Sequence, residues 1–393
     1  MDIDCTFNRD DPIQRSRDVD DDQAQISSSE TLDDNTHLAS PTAFEQTLSS
    51  KIEEMIVVKY FSIENHTFPL YSYASFSRQL QQSRADRGIT SNDPAWMASL
   101  HGVLAACGPH VQLAEPGFNE DTARKHLQTA LSYTDQIITR SPTIPGVQAL
   151  VCIVACARHP IFSDEPSMNL LAVAIRMAYS LGLHRVNQSS GLSTEDRLEQ
   201  IRLFWCLYIL DKELAFDQNT PPLIDDAEID VLEPRMRSVD DLGIVESMEG
   251  LVALNLFTAR QRLAKIASKI WKEMHTFKSK HRRTRERLEW TMELNEQLAR
   301  WKIDWLDYGS ATDVATLWTE EAIQQLATVQ CRYFKCLLMR NYDRPYNAVE
   351  ALESLKNGQE LDHQALNLCC FVAARDTLHL TRSVRKGGML YIL

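Results

Sequence analysis

Apolar residues recur with helical spacing through most of this chain, and that spacing constrains the fold more than any other feature. After Ser167, apolar residues stand at positions 171, 174, 175, 178 and 181, the i, i+3, i+4, i+7 pattern of a helix with one buried face. Gly182 follows where a left-handed C-cap is favoured. The period-two alternation of strands does not recur, and glycine is sparse, at 13 of 393 residues. The sequence therefore predicts an all-α protein.

A second helix begins with a capping signal and carries a wide apolar surface. Ser193 is followed three residues later by Asp196, a pattern typical of a helix N-terminus. One apolar stripe then consists of Ile201, Phe204, Trp205 and Tyr208, and leucines at 203, 207 and 210 widen it. We expect this helix to be buried on much of its circumference. Further helices are predicted near residues 50–62, 94–107, 121–140, 145–158, 246–276, 286–306, 318–340 and 362–384.

Residues 1–48 differ in composition from the rest of the chain. Acidic residues, including the run Asp20–Asp22, greatly outnumber arginines there, and large apolar side chains are few. Such a segment buries too little apolar surface to offset its ordering entropy, so we predict a disordered acidic tail. Its simplest role is to keep the protein soluble, and an acidic interaction segment is the alternative. Residues 49–393 are predicted to form one large multi-helix domain.

Charge and cysteine usage limit the class of protein. The net charge of -13 disfavours broad contact with nucleic acid, so any DNA contact would have to be local. The nine cysteines are scattered through apolar segments, which favours reduced, buried thiols over a disulfide framework. The first residues lack a basic start and an apolar run, and no later stretch reaches about 18 apolar residues, so we expect neither a signal peptide nor a membrane span. These features favour a protein of the cytoplasm or the nucleus.

An acidic loop follows the second helix and invites a test for metal binding. Pro221 and Pro222 are followed by the carboxylates Asp225, Asp226, Glu228 and Asp230. Clustered carboxylates suit Mg²⁺, but no second motif on an opposing helix accompanies them. We therefore predict a solvated loop, anchored by Leu223, Ile224, Ile229 and Val231.

Catalytic motifs are missing from the sequence. It contains no G-x-S-x-G elbow, no glycine-rich phosphate loop and no H-E-x-x-H. His159 and His184 lie at predicted helix ends, where imidazolium favourably meets the terminal carbonyls, so both are interpreted as structural. We expect no catalytic residues and no enzymatic activity.

One basic run stands out in this acidic chain. Between positions 278 and 287, six basic residues accompany one acidic residue: Lys278, Lys280, Arg282, Arg283, Arg285 and Arg287. Two interpretations stay open, a nuclear-import patch and a polar connector between two helices. Direct DNA contact is disfavoured because no recognition helix accompanies the run.

Several phrases in order along the chain resemble one family. They are Ala174-Ile-Arg-Met-Ala178, Leu181-Gly-Leu-His-Arg185, Phe204-Trp205, Tyr208-Ile-Leu-Asp211 and the loop from Pro221 to Pro234. Further matches are Tyr60-Phe61 with Phe68-Pro69-Leu70, Pro142 to Ala157, Trp301 to Trp305, and Tyr333 to Pro345. Together they resemble the regulatory, or middle homology, domain of fungal binuclear zinc-cluster transcription factors. The chain departs from that pattern at Asn219-Thr220-Pro221, where the family typically has Gly-Arg-Pro, and at Val186, where it typically has Asp.

The resemblance implies a nuclear regulator of RNA polymerase II transcription, often of metabolic or secondary-metabolite genes, whose helical domain makes regulatory or dimer contacts. It implies structural roles for Leu181, Gly182, His184, Arg185, Phe204, Trp205, Asp211, Pro221, Asp225, Asp230 and Pro234. The family usually reads DNA through six zinc-binding cysteines at C-x2-C-x6-C spacing. None of the nine cysteines in this sequence have that spacing. Cys152/Cys156 and Cys331/Cys336 are interpreted as core thiols.

Without that cluster, the resemblance implies a regulator that is truncated, acts with a DNA-binding partner, or forms a homodimer. No cofactor is expected in this chain, and zinc would belong only to a cluster outside it. Two alternatives stay open. One is a helical receptor or co-regulator that senses a small-molecule effector, and the other is a helical enzyme.

Overall fold

The structure, a computed structural model, describes residues 50–85, 93–107, 119–158, 162, 167–185, 191–233, 242–250, 252–306, 318–341 and 375. The predicted acidic tail, His159, Pro234 and the predicted helix 362–384, apart from residue 375, lie outside the described residues. The division into a tail and one helical domain therefore stays a prediction.

The described chain is helical almost throughout, which confirms the all-α fold class. The helices are α1 (Ser50–Ser62), α2 (Glu64–Thr67), α3 (Tyr73–Ala85), α4 (Pro94–Ala106), α5 (Glu120–Ser132), α6 (Thr134–Ile138), α7 (Ile144–Ala157), α8 (Ser167–Ser180), α9 (Thr194–Gln218), α10 (Leu256–Ile270), α11 (Phe277–Lys280), α12 (Thr284–Leu306) and α13 (Glu320–Asn341). A π-helix, Trp271–His275, continues α10, and a 3₁₀ turn lies at Asp226–Glu228.

Two predicted helices differ from the structure. The segment predicted as a helix from residue 246 instead begins with an antiparallel hairpin of β1 (Ile244–Glu246) and β2 (Ala253–Asn255). Gly243 and Gly250 both have positive φ, at 87° and 69°, and such backbone turns the chain before α10 starts. The predicted helix 121–140 is broken at Tyr133 into α5 and α6.

Helix α9 lies at the centre of the fold. The Ser193 hydroxyl accepts from the N–H of Asp196 at 3.1 Å, as the capping pattern predicts. From Leu203 to Leu210 every residue is buried, so the prediction of a helix buried on much of its circumference is confirmed. At its C-terminus Asn219 adopts left-handed φ and ψ of 52° and 44°, and its N–H bonds the Ala215 carbonyl. Asparagine tolerates this conformation well enough to stand where the family has glycine.

The buried side chains form two apolar cores. The first core unites α1 and α3–α9, and the second unites α10, the π-helix, α12 and α13. Helices α9 and α10 take part in both, since Phe216 belongs to the second core and Phe257 to the first. The contact between α9 and α10 therefore joins the two cores.

Candidate functional site

Helix α9 holds the acidic loop, residues 220–233, through two buried polar side chains. The Asp211 carboxylate accepts the backbone N–H groups of Leu223 at 2.7 Å and Ile224 at 3.0 Å. Next to it, the Lys212 ammonium donates to the Ile224 carbonyl and lies 3.1 Å from the Asp211 carboxylate. Asp211 and Lys212 are 2% and 1% exposed. Burial of both charges is tolerable because each is paired and hydrogen-bonded.

Two aromatic residues one and two turns earlier continue this attachment. The Tyr208 hydroxyl donates to Asp226 at 2.8 Å, and the Trp205 indole N–H donates to the Leu232 carbonyl at 2.9 Å. Burial, and then the Asp226 carboxylate, raises the pKa of Tyr208 well above its ordinary value. Three successive turns of α9 thus bind the loop.

The turn after α8, residues 181–185, also binds the acidic loop. Gly182 has a φ of 74°, which confirms the predicted left-handed C-cap of this helix. The chain then pairs with the acidic loop, where the Asp230 N–H donates to the His184 carbonyl at 2.9 Å and Arg185 forms a parallel bridge with Asp230. The His184 ring packs edge-on against Tyr179, with centroids 4.7 Å apart. The motif residues 181–185, 204–211 and 221–230 therefore meet in one structural unit.

Most of the acidic loop is solvated. Pro221, Asp225 and Asp230 are exposed, and the Asp225 side chain accepts from the Ala227 N–H at 3.0 Å. Of the predicted anchors, Ile224 is buried and Ile229 and Val231 pack partly against the first core, but Leu223 is 48% exposed. Leu223 was wrongly predicted as an anchor because the chain bends at Leu223 and Ile224, where Asp211 accepts both N–H groups, and only the Ile224 side chain is buried.

An ion network that is buried around Glu213 connects the two cores. Glu213 on α9 accepts from Arg158 at 2.6 Å and from Arg260 at 3.0 Å, and the Arg332 Nε lies 3.6 Å away. One turn later, Asp217 accepts from Arg332 at 3.0 Å and also pairs with Lys335. The basic residues come from the C-terminus of α7, from α10 and from α13. The network therefore joins four helices.

The electrostatics of the network favour its charged form. Burial alone would raise the pKa of Glu213, but the guanidinium groups of Arg260, Arg332 and Arg158 outweigh it and hold that pKa well below its ordinary value. The pKa of Asp217 is also lowered, because Arg332 and Arg158 outweigh its burial. Both carboxylates are thus ionised in the folded protein.

The described thiols are placed for packing. Cys107, Cys152, Cys156, Cys206 and Cys336 are buried, and Cys331 is half-buried. Burial raises the pKa of both Cys152 and Cys336 to about 12, so the thiolate that binds metals is disfavoured. Within the described ranges, no group of three or more His, Cys, Asp and Glu side chains is placed to hold a metal ion.

The basic run occupies an exposed corner between α11 and α12. Lys278, Lys280, Arg283 and Arg285 are exposed. Arg282 instead pairs with Glu273 at 2.5 Å and lies over the Trp290 ring, 5.7 Å from its centroid. The six basic residues therefore do not share one environment.

An open cleft of about 280 Å³ lies between α3, α4, α7 and the start of α9. Its aromatic wall consists of Tyr71, Phe76 and Trp96, and the Phe76 and Trp96 rings are 4.9 Å apart. On the α9 side stand Asp196 and Glu199. We call it the α3–α4 cleft.

Sequence reasoning missed the ion network, the α3–α4 cleft and a pair of buried histidines. His101 on α4 and His126 on α5 approach with their Nδ1 atoms 2.8 Å apart. The sequence offered one weak signal for the network, namely Glu213 and Asp217 four residues apart, just after the apolar run of α9. The basic partners at 158, 260 and 332 are too distant along the chain to be recognised.

Comparison with known proteins identifies relatives of this chain. The sequence profile of the fungal specific transcription factor domain matches residues 58–303. The chain is 27% identical over 357 residues to the ABC-transporter-regulating transcription factor of Aspergillus fumigatus, covering 86% of this chain and 39% of that protein. It is 29% identical over 295 residues to the fusaridione A cluster transcription factor fsdR of Fusarium heterosporum, covering 75% of this chain and 52% of the relative.

A further similar protein is the ABC-transporter-regulating transcription factor of Aspergillus oryzae, which is 26% identical over 344 residues, covering 84% of this chain and 38% of that protein. The chain thus spans between about two fifths and about half of the length of these curated relatives. Among the described residues, no helix combines the length and apolarity needed to cross a membrane.

Proposed function

The chain belongs to the fungal specific transcription factor domain family, and from that premise we propose that it regulates transcription by RNA polymerase II in the nucleus. The family match over residues 58–303 is the observation that carries this proposal. The matched range runs from α1 to α12, so it includes the attached acidic loop, both carboxylates of the ion network and half of the buried residues of the second core. The regulatory part of such a factor is the role that this helical domain fits.

The relatives suggest which genes the protein controls. Two of them are named as regulators of ABC transporters, and one as the factor of the fusaridione A cluster. We propose that this chain controls a metabolic or secondary-metabolite pathway, or the transporters that export its products. We propose no direct DNA contact for the residues of this sequence, which hold no zinc-cluster cysteines, and we propose a second copy of the chain or another DNA-binding regulator as its partner.

A tethering experiment tests the regulatory role without requiring a DNA reader in this chain. The full chain is fused to an unrelated DNA-binding domain in a fungal host that carries a reporter with the matching binding sites. We expect reporter transcription to rise or fall relative to the DNA-binding domain alone. A fusion to an unrelated helical protein of similar size is the control. Reporter output equal to that of the control would refute the proposal.

A further inference from the structure

The α3–α4 cleft has walls that are fixed by hydrogen bonds across elements. Asn65 holds the segment before α3 by accepting from the N–H groups of Leu70 at 3.1 Å and Tyr71 at 3.2 Å. Gln148 on α7 then bridges the cleft, donating to the Leu70 carbonyl at 3.1 Å and to Glu199 on α9 at 2.8 Å. The cleft is therefore largely preformed, as ligand sites commonly are.

The charged side chains that line the cleft are both acidic. Asp196 and Glu199 are three residues apart, so they lie on the same face of α9. Among the described residues that line this cleft, none is Lys, Arg or His. Burial raises the pKa of Glu199 most, the hydrogen bond from Gln148 lowers it, Asp196 raises it and Arg202 lowers it. The net direction is upward, so a cation beside the two carboxylates is favoured.

The aromatic wall adds a second preference that is independent of charge. Trp96 is 4% exposed, and its indole N–H is buried without a hydrogen-bond partner in the described part of the chain. A ligand that offers an acceptor would satisfy this N–H group. Trp96 also lines an adjoining open cleft of about 430 Å³, so space extends past the ring. Aromatic faces themselves attract cations.

We propose that the α3–α4 cleft binds a small organic cation that has a flat apolar body, a protonated amine and a hydrogen-bond acceptor. The amine lies beside Glu199 and Asp196, the apolar body packs between Phe76 and Pro145, and the acceptor receives the Trp96 indole N–H. This inference goes beyond the regulatory role. Binding is a property of the isolated protein and holds or fails independently of transcription.

Three probes with one shared ring test the charge preference. Tyramine carries an ammonium group, tyrosol a neutral hydroxyl and 4-hydroxyphenylacetate a carboxylate, and each is titrated into the purified full chain by ligand-observed NMR. We expect tyramine to bind about fivefold more tightly than tyrosol, and 4-hydroxyphenylacetate to bind most weakly. Equal affinities for the three probes overturn the proposal. So does the absence of binding up to about 10 mM, where a fragment of ordinary ligand efficiency would register.

Two variants separate the roles of the two walls. Glu199→Gln keeps a partner for Gln148 but removes one of the two charges, so it should reduce the advantage of tyramine over tyrosol by about half or more on a logarithmic scale. The matched control is Glu195→Gln, which removes an exposed charge from the same turn outside the cleft. Trp96→Phe removes the indole N–H and should weaken all three probes by a similar factor, since they share the phenol oxygen. The proposal is wrong if Glu195→Gln reduces the tyramine advantage as much as Glu199→Gln.

Discussion

Arg260 meets Glu213 through a fork, with its Nη2 atom 3.1 and 3.0 Å from the two carboxylate oxygens and its Nε 3.2 Å from one of them. The Arg260 guanidinium also lies over the Phe68 ring, 5.5 Å from its centroid. Phe68 belongs to the first core, and Arg260 lies on α10, which lines the second core. This charged pair thus links α9 to α10, the two helices that take part in both cores.

Removing the charge of Glu213 should destabilise the protein strongly. Glu213→Gln leaves Arg158, Arg260 and Arg332 close together with less compensation, and we expect the free energy of unfolding to fall by about 3 kcal/mol or more. Asp217→Asn is the matched control, because the Asp217 side chain is 27% exposed against 9% for Glu213. Urea denaturation at pH 7 measures both. Equal losses for the two variants would contradict a central role for Glu213.

The same carboxylate predicts a specific acid response. Its folded pKa lies below the ordinary value of 4.5, so its stabilisation is fully present above pH 4.5 and is lost as the pH falls further. We expect the wild type to lose stability more steeply than Glu213→Gln below pH 4.5. Parallel curves for the two proteins in that range would rule out this contribution.

A second acid response should occur at higher pH, from the buried histidine pair. Burial, and then the neighbouring His101 ring, lowers the pKa of His126 from 6.5 to about 3. Below pH 6.5 the unfolded chain binds a proton here that the folded protein does not, so stability falls by up to about 1.4 kcal/mol per pH unit. His126→Leu should flatten the stability curve between pH 6.5 and 4.5, and Glu213→Gln should leave that range unchanged. An unaltered slope in His126→Leu would disprove the assignment.

The attachment of the acidic loop should depend on Asp211. Asp211→Asn replaces one acceptor with a donor and leaves the Lys212 ammonium buried without its carboxylate, so we expect a loss of about 3 kcal/mol. Asp225→Asn, which alters an exposed turn in the same loop, should cost less than about 1 kcal/mol. Hydrogen exchange at residues 222–232 reports the detachment directly. Protection that survives in Asp211→Asn would show that the aromatic attachments suffice.

Close packing of α4 against α7 gives a prediction that concerns sterics alone. A Cβ atom at Gly102 would lie 2.9 Å from the Cys152 sulfur. Gly102→Ala should therefore cost about 1–3 kcal/mol, and Cys152→Ala should relieve much of that cost. Urea denaturation of the two single variants and the double variant measures the coupling. Simple additivity would mean that the backbone moves apart instead.

The sequence predicted the helices that carry a strong local signal. The Ser193 cap and the Gly182 C-cap depend on residues that adjoin each other in the chain, and both occur as predicted. Helix α3 was missed because its apolar residues, Phe76 and Leu80, are too few to give a clear period within a polar segment. The hairpin before α10 was missed because positive φ at two glycines, rather than apolar spacing, sets its course.

The site was predictable only where its residues are close along the chain. Asp211 and the loop it binds are about a dozen residues apart, and the resemblance brought both to attention. The α3–α4 cleft combines side chains such as Tyr71, Trp96, Gln148 and Glu199 from four separate segments. Their convergence follows from helix packing, which no local pattern encodes.

The exposed corner at α11 and α12 gives the last prediction, on localisation. Lys278, Lys280 and Arg283 are exposed, so replacing all three with Ala removes basic charge without disturbing the pairing of Arg282 with Glu273. If the corner is an import patch, a fluorescent fusion of this variant should lose most of its nuclear accumulation in a fungal host.

The control replaces three exposed arginines elsewhere, Arg124, Arg140 and Arg176, and removes the same charge. Because surface charges away from buried networks contribute little to stability, both variants should fold. Equal nuclear accumulation of the two variants would leave the run as a polar connector, whereas a loss confined to the corner variant would separate import from net charge.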